Sequence, residues 1–119
     1  MTPPNVYIDA YKAEYVQVIH TSSKGLFTAL GHADYYPNTA EQPGCEGDVE
    51  CSHLRSAQYY AESVRNGGFY AIRCDCRESY SSGLCDNNPL SYLGGEILDT
   101  RANGSYFLDT YKRPPFSKD

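Results

Sequence analysis

Cys45 and Cys51 bracket five residues, and His53 stands two positions after the second cysteine. An imidazole can move a proton near neutral pH without help from its surroundings. A disulfide closing so short a loop would hold that imidazole still at the mouth of the helical pattern that follows. The chemistry this spacing suggests is general-base catalysis by His53. The nucleophile such a base would serve is not present in the chain. No serine stands in a Gly-x-Ser-x-Gly frame, the frame that exposes a reactive hydroxyl on a strand-to-helix turn. On spacing alone, a histidine at a helix start is more often a capping or surface residue, so both readings stand at this point.

The remaining candidates are weaker. Five cysteines in 119 residues, at 45, 51, 74, 76 and 85, favour structural disulfides and an oxidising compartment. Zinc would need paired ligands at C-x-x-C or H-x-x-x-H spacing, whereas the chain offers only Cys74-x-Cys76 and Cys51-x-His53, so no metal site is expected. Cys45 with Cys51 and Cys74 with Cys85 close natural short loops. Each closure constrains the unfolded chain by roughly 2–3 kcal/mol in the entropy model. Cys76 is then a leftover thiol. Its neighbours Asp75, Arg77 and Glu78 are charged, so it is expected near solvent and able to link two chains as a disulfide dimer. His20, at a strand end, reads as a satisfied structural histidine. His32 and Asp34 would share a face of an extended segment and mimic a dyad, but a structural hydrogen bond is the simpler reading. Arg55 and Glu62 read as helix-surface contacts. Asn103-Gly104-Ser105 fits the N-glycosylation acceptor pattern.

The elements that would position these residues are few. Tyr15 to Thr21 is β-branched and mostly apolar, as in a buried strand. Residues 22–32 read as loop, Ala33 to Tyr36 as a short extended piece stopped by Pro37-Asn38, and 37–50 as exposed loop. The strongest helix runs from Ser52, as N-cap, to Arg65. Leu54, Ala57, Ala61 and Val64 form one apolar stripe with Tyr60 beside it. Gly67-Gly68 ends the helix. Phe69 to Arg73 is a strand, 74–95 a Cys-, Ser-, Asn- and Gly-rich loop, and Tyr106 to Thr110 a last strand before an extended Pro114-Pro115 tail. So few strands leave open edges, as part of a larger sheet would.

Length allows at most one small domain. With 12 Tyr, 4 Phe and no Trp, the core and its rim rest on amphipathic rings, and part of that surface is expected to be covered. A net charge of −5, dispersed along the chain, argues against nucleic acid or an anionic membrane as main partner. Met1-Thr-Pro-Pro carries no signal-peptide pattern, and no apolar run approaches the length of a membrane span. Cysteine usage points to secretion while the N-terminus does not, so the chain is expected to lack its original beginning.

The segments in order carry a family resemblance, from about Tyr11 to Phe116. They are Ala13 to Thr21 (AEYVQVIHT), Gly31 to Asn38 (GHADYYPN), Gln42 to Cys45 (QPGC), Cys51 to Glu62 (CSHLRSAQYYAE), Cys74 to Cys85, Gly104 to Thr110 (GSYFLDT) and Pro115-Phe116. Together they resemble the C-terminal part of the lipase domain of the pancreatic lipase family. This animal family of secreted α/β-hydrolases includes triacylglycerol lipases, phospholipases A1 and non-catalytic yolk-type relatives. The resemblance implies an α/β fold: a partial α/β-hydrolase sheet of C-terminal strands plus one main helix, disulfide-stapled. It implies that residues 1–119 are the C-terminal portion of that domain, without the N-terminal half that bears the nucleophile.

The resemblance places His53 at the family's catalytic histidine. The family's serine, aspartate and oxyanion donors lie upstream of the matching segments, and Asp9 falls beyond the expected aspartate position. His53 alone has no nucleophile to activate, so the chain is expected to be inactive by itself. A lipid or phospholipid ester would be the substrate of the complete domain, with no cofactor. The Cys45–Cys51 loop corresponds to the family's lid, and five residues cannot cover a lipid pocket. A lid so short resembles the phospholipase A1 members. The chain departs from the family at Thr39-Ala40, where Gly-Gly is usual, at Cys76, where Ser is usual, and at Leu93, where Met is usual. A non-catalytic binding or structural protein of yolk type is the competing expectation.

Overall fold

The computed structural model describes residues 14–22 and 30–118. Asp9, Tyr11 and most of the loop expected over 22–32 lie outside them. Among the described residues, five strands and two helices follow in the order β1 (Gln17–Ile19), β2 (Ala33–Pro37), α1 (Val49–Asn66), β3 (Phe69–Arg73), α2 (Arg77–Ser81), β4 (Leu90–Leu93) and β5 (Gly104–Leu108). The strands form one mixed sheet, ordered β1-β2-β5-β3-β4. β1, β2 and β5 run parallel, with Gln17 beside Ala33 and Ala33 beside Gly104. β3 runs antiparallel to both β5 and β4. This is a partial α/β fold, as the sequence implied.

β2 is buried along its whole length, which is what a parallel strand covered on both faces requires. Its two tyrosines serve opposite faces. Tyr35 is fully buried in the larger core with Tyr59, Phe69, Leu93, Tyr106 and Phe116, and its hydroxyl meets Ser91 Oγ at 2.7 Å. Tyr36 packs in the second cluster with Phe107, Cys74 and Cys85 and stacks on the His20 ring at 4.4 Å. Buried phenols need partners for their hydroxyls, and this chain supplies them. Leu93 is fully buried in the larger core.

The structure corrects several expectations. The segment 74–95 is not all loop, since it holds α2 and β4. β4 reads Leu-Ser-Tyr-Leu with Ser91 and Leu93 inward and Leu90 and Tyr92 outward, a four-residue alternation too short to stand out. The last strand is Gly104–Leu108 rather than Tyr106 to Thr110. β1 is only half-buried because it lies at one edge of the sheet. The Pro-Pro tail is not extended. Tyr111 N donates to Phe116 O at 2.8 Å and Thr110 bridges Ser117, which returns Phe116 to the core.

The main helix begins at Val49, not after Ser52. Its N-cap is Asp48, whose Oδ1 accepts from Cys51 N at 3.0 Å, and this satisfies one of the donors a helix start leaves open. The helix also faces the other way. Its buried residues are Ser52, Arg55, Tyr59, Glu62 and Ser63, while Leu54, Ala57, Tyr60, Ala61 and Val64 are exposed. Arg55 and Glu62 are therefore not surface contacts. The Arg55 guanidinium lies 4.8 Å over the Phe116 ring. The Glu62 carboxylate accepts from Phe116 N at 2.6 Å and Ser117 N at 3.0 Å. Ser63 Oγ receives Gly95 N at 2.9 Å, and Gly94, at φ +70°, has no room for a Cβ against that serine.

Candidate catalytic histidine and its platform

The carboxyl ends of β1, β2 and β5 point the same way, and this end of an open α/β sheet is where ligands bind. Beyond β1 come His20, Thr21 and Ser22; beyond β2, Asn38 and Thr39; beyond β5, Asp109 and Thr110. The first turns of α1 bring Ser52 and His53 to the same place. Cys45 and Cys51 are joined, with Cα atoms 5.4 Å apart, so the loop before the helix is pinned to its first turn.

His53 is exposed, on a helix turn that is itself held. Thr21 Oγ1 donates to the His53 carbonyl at 3.3 Å, and Ser22 Oγ stands 3.4 Å from His53 Nδ1. An exposed imidazole with one ring nitrogen engaged keeps its other nitrogen available to exchange a proton. Among the described residues no carboxylate contacts His53.

Gln42, fully buried, is the hub of this platform. Its Nε2 donates to three carbonyls: Thr21 at 3.0 Å, Pro37 at 3.0 Å and Thr39 at 2.8 Å. Its Oε1 accepts from Asn38 Nδ2 at 2.7 Å and Tyr59 OH at 2.9 Å. Its backbone N donates to Ser52 Oγ at 2.8 Å. Asn38, at φ +61°, also accepts from Thr110 N at 2.9 Å, and Tyr59 OH meets Thr110 Oγ1 at 3.1 Å. One amide thus ties the ends of β1 and β2 to α1, and Thr110 adds the end of β5. Burial pushes the Tyr59 phenol pKa up, which keeps it a neutral donor. The sequence reading missed Gln42, Ser52, Tyr59 and Thr110. The only local sign was Gln42 beside Pro-Gly-Cys, because the network joins residues up to 72 positions apart.

The other titratable candidates serve the fold. His20 Nε2 lies 2.9 Å from Asp34 Oδ1, with both side chains buried. Asp34 also accepts from Leu30 N and Gly31 N. His32 Nδ1 accepts from Val16 N at 2.8 Å, and its ring stacks on Tyr15. His32 and Asp34 each hold different backbone groups and form no dyad with one another. Cys74 and Cys85 are joined, with Cα atoms 5.7 Å apart. Cys76 keeps a free, half-buried thiol, 3.2 Å from Ser79 Oγ. Asn103 is exposed, immediately before β5. Thr39 and Ala40 line an open recess of about 400 Å³ with Glu41, Asp48, Val49 and Ser52. Among the described residues no group of three or more His, Cys, Asp or Glu could hold a metal ion, and no helix is long and apolar enough to cross a membrane.

A family model described as Lipase matches residues 1–116. Human pancreatic lipase-related protein 3 is 31% identical over 98% of this chain and 33% of its own length. Mouse lipase member H is 33% identical over 98% of this chain and 27% of its own. Human inactive pancreatic lipase-related protein 1 is 35% identical over 71% of this chain and 24% of its own. The chain spans about a quarter to a third of the length of these relatives. It belongs to the pancreatic lipase family and holds part of that family's lipase domain.

Proposed function

We propose that this chain is the C-terminal segment of a secreted lipase or phospholipase A1 whose complete domain acts on the carboxylic ester bonds of lipids. His53 is its catalytic histidine. In the complete domain it takes the proton from a serine hydroxyl as that hydroxyl attacks the ester carbonyl, then returns it to the leaving alcohol. The observation that carries the reading is the position of His53, on a disulfide-pinned helix turn at the carboxyl ends of the parallel strands. The serine and its acid come from the N-terminal half of the domain, and no cofactor takes part. The five-residue Cys45–Cys51 loop is too short to cover a lipid pocket, which favours a phospholipid ester over a triacylglycerol. Two disulfides and the names of the relatives favour an extracellular setting, and Asn103 is then the glycan acceptor.

A second reading has one observation in its favour: a relative at 35% identity is named as inactive. In that reading the chain is a lipase-like binding or structural protein. Sequencing of the complete transcript separates the two. An in-frame Gly-x-Ser-x-Gly upstream supports the enzyme segment, and a transcript that opens at Met1 supports the second. In either case the isolated chain should not turn over a p-nitrophenyl ester or take up a serine-directed phosphonate. Turnover that is lost in His53→Ala would overturn the claim that the chain is inactive alone.

A further inference from the structure

Nδ1 is the ring atom that a carboxylate orients in a serine triad. In this chain a hydroxyl stands there instead, with Ser22 Oγ 3.4 Å from His53 Nδ1. The residue before it, Thr21, donates its own hydroxyl to the His53 carbonyl. Consecutive residues leaving β1 therefore meet both the ring and the backbone of one histidine. The two sides of this contact share an anchor. Gln42 Nε2 holds the Thr21 carbonyl, and Gln42 N holds the Ser52 hydroxyl. Ser22 is itself buried, at 4% exposure, so its hydroxyl has a fixed place from which to reach the exposed ring. Neutral imidazole carries one N–H, and the bond made by one nitrogen decides where that proton sits.

We propose that Ser22 is a positioning residue for His53: its hydroxyl accepts the Nδ1 proton and leaves Nε2 unprotonated, as the atom that accepts a proton. The inference rests on the base role proposed above for His53. The opposite polarity, with the serine donating to Nδ1, would put the proton on Nε2 and make the ring useless as a base. A hydroxyl carries no charge, so Ser22 fixes the tautomer without stabilising the imidazolium as a carboxylate does. Ser22 thus sets the tautomer within this chain, and in the complete domain the acid shares the same Nδ1–H and stabilises the charged ring.

Long-range proton–nitrogen correlation on the nitrogen-15-labelled chain, at a pH where the ring is neutral, reads the tautomer directly. The His53 signals are assigned by their loss in His53→Gln. The unaltered chain should carry its proton on Nδ1. Ser22→Thr, which keeps the hydroxyl, should retain that pattern, and Ser22→Ala should shift the ring towards a mixture of both tautomers. A purely structural role for Ser22 would change the unfolding midpoint and leave the tautomer alone. A proton on Nε2 in the unaltered chain overturns the proposal whatever the variants do, and so does a folded Ser22→Ala with an unchanged pattern. A full-length protein that hydrolyses no ester while His53 keeps its Nδ1 proton would refute the functional reading and leave the positioning role intact.

Discussion

Gln42→Glu is the sharpest perturbation of the platform, because it changes the shape of one buried side chain hardly at all. The amide nitrogen that serves the carbonyls of Thr21, Pro37 and Thr39 becomes an oxygen. An ionised carboxylate would face three carbonyl oxygens at about 3 Å, so the new group must take up a proton. The amide spreads two N–H donors over the three carbonyls and a single O–H replaces them, so one donor is lost net. An unsatisfied buried acceptor costs about 1–3 kcal/mol, which places the loss at about 1–3 kcal/mol before the proton is counted. Holding the acid neutral at pH 7 adds to this. The ordinary glutamic acid pKa lies about 2.7 pH units below 7, and each unit is worth about 1.4 kcal/mol, hence up to about 3.7 kcal/mol more. The sign follows from linkage. The variant's folded-state pKa is raised, so its stability is greatest below about pH 4.3 and falls as pH rises. Gln42→Met loses the same donors without gaining a titrating group, and its cost should be flat with pH. Urea unfolding followed by far-ultraviolet circular dichroism at pH 5 and pH 7 measures both variants. A Gln42→Glu chain within about 1 kcal/mol of the unaltered one at pH 7 would refute the account of Gln42 as the hub. A pH slope equal to that of Gln42→Met would do the same.

Three further outcomes follow from the packing. Glu62→Ala leaves the backbone N–H groups of Phe116 and Ser117 without their acceptor and should cost about 2–4 kcal/mol in the same unfolding assay; a loss below about 0.5 kcal/mol would mean that the tail finds other partners. Burial pushes the Tyr15 phenol up to about 12 with Asp99 adding to it, pushes Tyr80 up to about 12 with Asp109 adding to it, and raises Tyr35 and Tyr59. Raised folded values mean stability that is complete below about pH 10 and is lost as pH climbs towards 12, so ionisation of these phenols, read by ultraviolet absorbance, should coincide with loss of ellipticity rather than precede it. Non-reducing peptide mapping should recover Cys45–Cys51 and Cys74–Cys85, and non-reducing gels should show a dimer fraction that disappears with reductant and in Cys76→Ser; a single monomeric band with Cys76 inert to alkylation would make that thiol a buried packing residue.

The sequence by itself determined the parts whose signals are local. Short loop lengths made Cys45–Cys51 and Cys74–Cys85 natural pairs, while the choice of Cys74 over Cys76 came with the structure. The existence of α1 follows from a 3.6-residue period ended by Gly67-Gly68, and β3 from a short run between breakers. The family follows from segments in order. It could not determine which side of α1 faces inward. Periodicity groups Leu54, Ala57, Ala61 and Val64 on one face without saying whether this chain covers them, and the structure leaves them exposed. The inward face is polar and looks unsuited to a core until its partners are known. Ser52 is satisfied by Gln42 in the preceding loop, and Glu62 by the returning tail and Tyr59 by Thr110, both more than 50 residues away. Asp48 took the cap from Ser52 for the same reason, since Ser52 was drawn inward by a backbone N–H ten residues away. β4 is a strand because β3 offers it an edge, and its four residues announce little by themselves. His53 could be named from its neighbours in the chain. The hydroxyl against its Nδ1 and the amide that anchors both sides of that contact arise only when the ends of β1 and β2 meet the start of α1. Hydrogen bonds between distant residues depend on that meeting, and no local pattern records it.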